Sequence, residues 1–273
     1  MKIAFSTLAC PAWDVNRVID VAAKLGFDGI ELRFIEFDDR LWERPEFRGD
    51  GLKQTIRQLH DAGLRVCCVD TSCFFHHREA RLRRESLDMG SAMIELAGEL
   101  GAPAIRVFGD RVQAGANRDE TIRWVAEGVR ALVECGRGCG VETWLETHGD
   151  FARACDTKAI LEAAGLDNAG AIWDPLNAFS EFGEDPASGL AALGSSLRHV
   201  HIKDARRTAE GPWEPVLMGA GDFPARTLVG LLRDGGYERF VSFEWEKRWH
   251  PAIPEPEVAL PHFMEWMRAA LEV

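Results

Sequence analysis

The amino-acid sequence predicts a single (β/α)8 (TIM) barrel of the α/β class, on the basis of its length and its regular alternation of strand and helix patterns. The chain has 273 residues, and about 250 residues is typical of one closed α/β barrel. Short apolar runs alternate with segments of helical periodicity, and about eight such units follow one another. This order favours parallel strands with helices packed outside them. We therefore expect one domain over residues 1–273.

The first four predicted units extend to residue 137. Asp14 suits the N-cap of the first helix, and Gly26 is expected to close it. The predicted strands have the sequences KIAFS, DGIELRF, RVCCVD and AIRVFG. The helices that follow them are predicted at residues 14–25, 52–62, 79–100 and 118–137.

The remaining four units complete the alternation. The predicted strands have the sequences ETWLETHG, AGAIWDP, RHVHIKD and RFVSFEWE. The helices that follow them are predicted at residues 157–164, 186–193, 224–234 and 257–271. An open doubly wound sheet is the structural alternative, but the phosphate-binding GxGxxG pattern typical of that fold is missing after the first strand.

The net charge and the cysteine content indicate which partners and which cellular location to expect. The formal net charge of −12 works against binding to nucleic acid, whose phosphates attract lysine and arginine. The seven cysteines are odd in number and include no CxxC pair, which is typical of reduced thiols in a cytoplasmic protein. No apolar stretch approaches the roughly 20 residues of a membrane span. We therefore expect a cytoplasmic protein with neither a nucleic acid nor a membrane as partner.

Polar side chains near the C-terminal ends of the predicted strands break the apolar pattern of an all-parallel sheet. Predicted strands five to eight carry Glu146, Asp174, His201 and Glu244 near these ends. If their side chains face the barrel interior, they converge at its C-terminal mouth, where the active sites of this fold lie. A single glutamate at a strand end is usually solvated or paired with arginine. Four such groups on successive strands fit that interpretation poorly.

The chemistry of these four side chains predicts a metal site. Crowded carboxylates need a cation to remain ionised. Three oxygen donors and one imidazole suit Mn²⁺, Mg²⁺, Co²⁺ or Zn²⁺, and the spacing does not choose among these ions. The sequence thus predicts one divalent metal ion held by Glu146, Asp174, His201 and Glu244.

Four motifs carry a resemblance to a known family. They are WLETHGD, IWDPLNAF, HVHIKD and VSFEWEKRWHP, in this order. With them the chain resembles the xylose isomerase-like barrel superfamily of sugar isomerases and epimerases, which also contains inosose dehydratases and the endonuclease IV type of DNA repair enzyme. The resemblance covers the whole chain in architecture. It implies that the four residues above bind metal and that Glu146 and Glu244 also face the substrate from opposite sides.

The sequence departs from the DNA-repair members at three positions. Those enzymes carry a histidine three residues after the aspartate and an aspartate two residues before the strand-seven histidine, and both help to bind three zinc ions. Asn177 and His199 occupy these positions here, and Arg106 stands on strand four where the nuclease pattern has another zinc-binding histidine. The resemblance therefore implies one metal ion rather than three.

Two further residues, Arg106 and His148, are candidate substrate contacts. Arg106 lies on an otherwise apolar strand, and an interior guanidinium normally needs a carboxylate or ligand partner. Glu31 or a bound anion would serve. Because alternate strand residues share a face, His148 is expected on the side of Glu146, where a structural hydrogen bond is as compatible with the pattern as a substrate contact.

Lys203 and His250 complete the predicted substrate-binding set. Lys203 could bind a substrate oxygen or phosphate, although the adjacent Asp204 also allows an ion pair at the strand end. His250 follows strand eight, in a segment that could form a wall of the pocket.

The leading hypothesis is a metal-dependent isomerase or epimerase of a small sugar or polyol-type keto compound. Glu146 and Glu244 would be its catalytic residues, transferring a proton beside the carbonyl. An inosose-type dehydratase or other lyase on the same site is the alternative. A nuclease acting on abasic DNA and a non-catalytic sugar-binding barrel are further hypotheses. The sequence does not specify the sugar, its phosphorylation or the oligomeric state, and a homo-oligomer is compatible with it.

Overall fold

The computed structural model describes residues 1–165, 167–209 and 211–272. The barrel strands are β1 Lys2–Ser6, β2 Gly29–Leu32, β3 Arg65–Phe74, β4 Ala104–Phe108, β5 Glu142–Glu146, β6 Ala169–Trp173, β7 Leu197–Ile202 and β10 Phe240–Phe243. Two further strands, β8 Asp204–Arg207 and β9 Trp213–Val216, form an antiparallel hairpin between β7 and β10 in the chain. The eight strands close a parallel barrel in the order β1, β10, β7, β6, β5, β4, β3, β2. The predicted (β/α)8 barrel is confirmed. The predicted domain extent of 1–273 includes residues 166, 210 and 273, which lie outside the described residues, and it stays a prediction.

The helices occupy the connections between these strands. They are α1 Val15–Leu25, α2 Gly49–Asp61, α3 Ala80–Leu100, α4 Arg118–Gly136, α5 Ala154–Ala164, α6 Pro175–Phe182, α7 Pro186–Leu193, α8 Ala225–Asp234 and α9 Pro256–Leu271. The predicted caps of α1 are confirmed. Asp14 accepts a hydrogen bond from the backbone N of Arg17 at 2.8 Å, and Gly26 ends the helix at φ 81°. Within the described ranges, no helix is long and apolar enough to cross a bilayer.

Several predicted strands were too long at their C-terminal ends, and two of them run into the next element. The predicted strand AGAIWDP includes Pro175, but β6 ends at Trp173 and α6 begins at Pro175. Asp174 caps this helix, and proline is well suited to the first helical position because its missing N–H has no partner there. The predicted strand RHVHIKD is likewise interrupted, since β7 ends at Ile202 and Asp204 begins β8.

The chain divides into two compact units. The first comprises Met1–Arg65 and the segment from His201 onward, and the second comprises Val66–Val200. In the first unit, β1 pairs in parallel with both β2 and β10. Phe243 of β10 stacks on Phe263 of α9, with ring centroids 4.4 Å apart.

The second unit contains β4, β5 and β6 in parallel register. A buried cluster spans these strands and their neighbour β3, and it consists of Cys68, Ala104, Trp144 and Ile172. Cys67 and Cys68 are both buried, as their apolar run predicts, and all seven cysteines are free thiols.

Candidate active site

One face of β4 and β5 in the second unit carries a connected set of polar and aromatic side chains. The guanidinium of Arg106 lies 3.9 Å from the ring centroid of Phe108, and Phe108 in turn contacts the imidazole of His148 at 4.9 Å between centroids. Arg106 also donates to Glu146, with 2.5 Å between Nη1 and Oε2. Because alternate strand residues share a face, these contacts place His148 on the side of Glu146, as the sequence predicts.

Arg106 is a buried cation between two buried carboxylates. Its Nη2 lies 3.5 Å from Oδ2 of Asp70, and its Nη1 holds Glu146. All three side chains are 4 % exposed or less. The sequence predicts that Arg106 pairs with a carboxylate or a ligand, with Glu31 or a bound anion as the candidates, and within this unit the carboxylates that it contacts are Asp70 and Glu146. Arg106 thus fixes the orientation of Glu146 and places a positive charge beside it.

Replacing Arg106 by alanine is expected to lower the free energy of unfolding by about 3–5 kcal/mol, because it leaves buried carboxylates without this cation. Arg106→Lys should lose less, since the charge remains but the planar fork that reaches both carboxylates is gone. Urea unfolding followed by circular dichroism measures both. Arg137→Ala is the matched control, since Arg137 forms an exposed pair with Glu134 whose loss should cost under about 1 kcal/mol. Equal stability of the two alanine variants would show that Glu146 does not depend on Arg106.

Asp174 is fully buried and rigidly held at the start of α6. Its Oδ1 accepts hydrogen bonds from the backbone N of Leu176 at 3.0 Å and of Asn177 at 3.2 Å. Its own backbone N donates to Oγ1 of Thr147 at 2.8 Å. Carboxylate oxygens of Asp174 and Glu146 lie within 4.8 Å of each other. Two of the predicted metal ligands, Glu146 and Asp174, thus lie close together in the second unit, and Oδ1 of Asp174 also caps α6.

His201 and Glu244 form the corresponding buried pair in the first unit. Nδ1 of His201 lies 3.5 Å from Oε1 of Glu244, and Nε2 of His201 lies 3.1 Å from a carboxylate oxygen of Glu31. Glu244 directly follows β10, and its backbone N donates to the carbonyl of Ile202 at 3.1 Å. This hydrogen bond fixes Glu244 beside the end of β7.

Glu244 of this pair also belongs to a charged network, which includes Lys203, Glu246 and His250. Lys203 donates from Nζ to Oε2 of Glu244 at 2.7 Å and also to Glu246, while Nε2 of His250 lies 3.3 Å from Glu246. Burial pushes the pKa of Glu246 up, but the charge of Lys203 and the hydrogen bonds from His250 and Lys203 outweigh it and lower the pKa to about 2. The hydrogen bond with Glu246 raises the pKa of His250. Asp204, the sequence-based alternative partner of Lys203, instead accepts from the backbone N of Gly219 and of Gly221.

The predicted site residues thus fall into two groups, each assembled within its own unit. The second unit brings together Arg106, Glu146, His148 and Asp174, and the first brings together His201, Lys203, Glu244 and His250. Sequence reasoning missed Asp110, whose carboxylate holds His148, and did not assign Glu31 to His201. An aspartate immediately after the glycine that ends a predicted strand was the available signal for Asp110.

A closed parallel barrel with buried carboxylates and a buried histidine near the C-terminal ends of its strands is an architecture typical of enzymes, and comparison with known proteins identifies the family. The family model for the xylose isomerase-like TIM barrel matches residues 19–270. The chain belongs to this family.

Individual relatives cover nearly the whole chain. A fructoselysine 3-epimerase of Shigella flexneri is 25% identical over 285 aligned residues, covering 99% of this chain and 98% of the relative. The structure of the probable 3-DHS dehydratase AsbF of Bacillus anthracis superposes with a TM-score of 0.80 at 18% identity, covering 98% of this chain and 99% of that one. The IolI protein, solved with a bound zinc atom, superposes with a TM-score of 0.80 at 17% identity, covering 99% of this chain and 96% of that one. At these identities the two structures show the shared fold.

Proposed function

We propose that the protein is a metal-dependent epimerase or isomerase of a small keto sugar, with Glu146 and Glu244 as the proton-transferring residues. The observation that carries this proposal is the presence of two buried ligand pairs near the C-terminal ends of β5, β6, β7 and β10. These pairs are Glu146 with Asp174 and His201 with Glu244. Family membership and the full-length relationship to a sugar epimerase make the chain an enzyme of the sugar isomerase and epimerase type. By analogy with that relative, the proposed reaction centre is C3 of a ketose.

The side chains present fit a divalent metal ion. Three carboxylates and one imidazole form the proposed ligand set Glu146, Asp174, His201 and Glu244, and each of these side chains is at most 6 % exposed. Oxygen donors with one nitrogen suit Mn²⁺, Mg²⁺, Co²⁺ or Zn²⁺, and manganese is our preferred assignment. When bound, such an ion would act as a Lewis acid on the substrate carbonyl and make the neighbouring C–H more acidic.

The protein's own side chains supply the bases and hold them in place. Glu146 is oriented by Arg106, and Glu244 is oriented by Lys203. Each proposed base therefore has a positive charge beside it and a fixed direction, as a group that removes a proton at one position of the substrate requires. Because the strands that carry the two glutamates are separated by those that carry Asp174 and His201, we propose that the glutamates approach the substrate from opposite sides, so that one removes a proton and the other returns one.

The remaining roles are recognition and location. We propose that Arg106, His148, Lys203 and His250 donate or accept hydrogen bonds with substrate oxygens. A cytoplasmic location, the lack of a nucleic-acid or membrane partner, and a homo-oligomeric assembly stay predictions.

A metal-replete substrate screen tests the reaction class. The protein, supplied in turn with each of the four divalent ions, would be incubated with ketoses, inososes, keto sugars and short hydroxy-carbonyl compounds, and the products identified by NMR and mass spectrometry. A product of unchanged mass with inverted configuration supports the epimerase. A product lighter by one water would replace it by the dehydratase, and cleavage of an abasic DNA duplex would replace it by the nuclease. Binding without turnover of any compound would favour the non-catalytic alternative.

A further inference from the structure

A cavity of about 830 Å³ opens between the loops that follow β3 and β4. The residues that line it belong to the second unit. Sites for small molecules commonly have volumes of about 300–1,000 Å³. The loops after the strands of a (β/α)8 barrel lie at its C-terminal face, where the active sites of this fold are built. The cavity therefore has the size and the location of a subsite for part of a substrate.

Arg78 is held in place at this cavity by the loop after β4. Its backbone N donates to Oε1 of Gln113 at 2.9 Å, and its Nη1 donates to the carbonyl of Ala114 at 3.4 Å. A Cβ on Gly115 would lie 2.7 Å from Nη1 of Arg78, so the glycine leaves the room that the guanidinium occupies. The contact with Ala114 uses one of the five N–H donors of the guanidinium. The loop thus places a cation with several donors at the cavity.

Arg111 brings a second positive charge to the cavity from the loop after β4. Its side chain is 76 % exposed, and its Nε lies 4.0 Å from Oδ2 of Asp110. Because guanidinium groups form charge-assisted hydrogen bonds with phosphate and carboxylate oxygens, two arginines from two loops favour an anionic ligand.

The helix α3 presents its first turn to the same cavity, since Glu79 and Leu82 both line it. Glu79 is the N-cap of this 21-residue helix, and its side chain makes no capping hydrogen bond within the described part of the chain. The first N–H groups of a helix lack intrahelical partners, and the helix dipole adds a partial positive charge there. The start of α3 therefore favours an anion at this point.

A buried imidazole at the cavity has one nitrogen that is not hydrogen-bonded. His76 lines the cavity and is 6 % exposed, and its Nδ1 has no hydrogen-bond partner among the described residues. Its Nε2 faces Asp110, at 4.0 Å from Oδ2, and Oδ1 of Asp110 lies 2.8 Å from Nδ1 of His148. A buried polar atom without a partner indicates a place for a ligand or water. Asp110 also links this wall of the cavity to His148, a proposed substrate contact.

Two carboxylates line the cavity as well, and each has a partner elsewhere. Glu120 accepts a hydrogen bond from the backbone N of Asn117 at 3.1 Å, as part of the capping box of α4. A carboxylate oxygen of Glu79 lies 4.0 Å from Nη2 of Arg81. These contacts offset the two negative charges, so the arginines and the start of α3 determine the sign of the preferred ligand.

We infer that this cavity binds the phosphate group of a phosphorylated keto sugar, whose carbonyl end lies beside Glu146. The sugar part of this inference rests on the proposed function, whereas phosphate binding does not. Arg78, Arg111 and the start of α3 belong to three different segments, and a tetrahedral phosphate offers oxygens to donors from several directions. A planar carboxylate has only two oxygens and would satisfy fewer of these donors.

Titration with inorganic phosphate, followed by ¹H–¹⁵N NMR, tests the site without any substrate. Diamagnetic Mg²⁺ is present throughout, and the ionic strength is held constant. We expect saturable shifts of the backbone N–H signals of Ala80 and Arg81 at the start of α3. The indole N–H of Trp124, which lines the cavity, should shift with the same Kd, and Trp124→Phe assigns its signal by removing it.

Arginine variants show whether the cavity is responsible for these shifts. Arg78→Ala and Arg111→Ala should each raise the Kd for phosphate about tenfold, because each removes charge-assisted hydrogen bonds. Arg137→Ala is the matched control, since Arg137 lies at the opposite end of α4 from the cavity, and its Kd should equal that of the wild type. Circular dichroism confirms folding. Because Arg111 is exposed, its variant is expected to fold even if Arg78→Ala does not.

Three results would overturn the inference. The first is a titration in which the Ala80, Arg81 and Trp124 signals do not shift with phosphate. The second is a wild-type Kd in both Arg78→Ala and Arg111→Ala. The third is a set of shifts produced by malonate and not by phosphate, which would assign the cavity to a carboxylate.

Kinetics with a phosphorylated ketose and its unphosphorylated counterpart test the consequence for the substrate. The wild type should have at least a tenfold higher kcat/KM for the phosphorylated sugar. Arg78→Ala should lower that value mainly by raising KM, since the contact lies away from the reacting carbon. Equal losses on both sugars would contradict the phosphate contact. If neither sugar is turned over while phosphate still binds, the proposed function fails and the phosphate site stands.

Discussion

Replacing Glu146 by glutamine, with the metal content confirmed, is expected to slow the incorporation of solvent deuterium into the substrate by about 10²–10⁴-fold, the usual contribution of a general base. The substitution keeps nearly the same shape and removes the basic carboxylate. Arg106, which donates to Oε2 of Glu146, can still donate to the amide oxygen, so the fold around the side chain should persist. The measurement is NMR of a turned-over sugar in D₂O, at the carbon beside the carbonyl.

Glu244→Gln should give a loss of similar size, because the two glutamates are assigned to opposite steps of one transfer. The matched control is Glu142→Gln, which makes the same change on β5 at the opposite end of the strand from Glu146. Glu142 contacts Arg198 and the indole of Trp144, away from the proposed bases, and its replacement should leave exchange at the wild-type rate.

Two results would revise this mechanism, and a third would invalidate the comparison with the control. Turnover without any solvent deuterium would mean that the hydrogen moves directly as a hydride or is shielded from exchange. Wild-type exchange in either metal-loaded glutamine variant would make that residue a ligand at most. The base would then be sought at His148, Lys203 or His250. Slow exchange in the Glu142→Gln control would point to a general loss of structure.

The positions of the proposed ligands could be predicted because they interrupt apolar strands. Glu146 ends β5, and Asp174 and Glu244 directly follow β6 and β10. In each case a charged residue stands where a buried parallel strand should continue with an apolar one. Strand alternation also placed His148 on the side of Glu146, and the contacts through Phe108 agree with that placement.

The partners of these residues could not be predicted, because they depend on which loops meet. Asp110 and Gly149 are far apart in the sequence, and only the fold shows that the carbonyl of one fills the space a Cβ of the other would need. Lys203 has Asp204 beside it in the chain, yet its side chain contacts Glu244 and Glu246, which follow the neighbouring strand β10. Local spacing indicates faces, whereas ion-pair partners follow from tertiary packing.

The helix α6 was missed for a related reason. The predicted strand AGAIWDP ends with Asp-Pro, although aspartate followed by proline is also a favourable start of a helix. Asp174 therefore has two roles that the sequence could not separate, as the cap of α6 and as a proposed metal ligand. Its Oδ1 accepts from two backbone N–H groups, which leaves Oδ2 as the oxygen assigned to the metal.

We expect the metal content to fall from about one ion per chain to nearly none in Asp174→Ala and in His201→Ala, because each variant lacks one proposed ligand. Elemental analysis of protein purified without chelator measures it. Asp174→Asn is the informative companion, because asparagine caps a helix as well as aspartate does while providing a neutral and weaker ligand. We expect Asp174→Asn to lose metal at full stability, and Asp174→Ala to lose metal and also about 0.5–2 kcal/mol through the missing cap.

The proposed metal ligands lie at strand ends, so a substitution elsewhere should leave the metal bound. His60→Ala removes an exposed histidine from α2 and should keep its metal. The apolar layers of the barrel lie below the proposed ligands, so circular dichroism should remain that of a folded protein in all four variants. Three zinc ions per wild-type chain would contradict the single site. Unfolding of both Asp174→Asn and His201→Ala would mean that these side chains support the barrel itself. Asparagine preserves the cap of α6, so the loss of the carboxylate charge is the remaining change in Asp174→Asn.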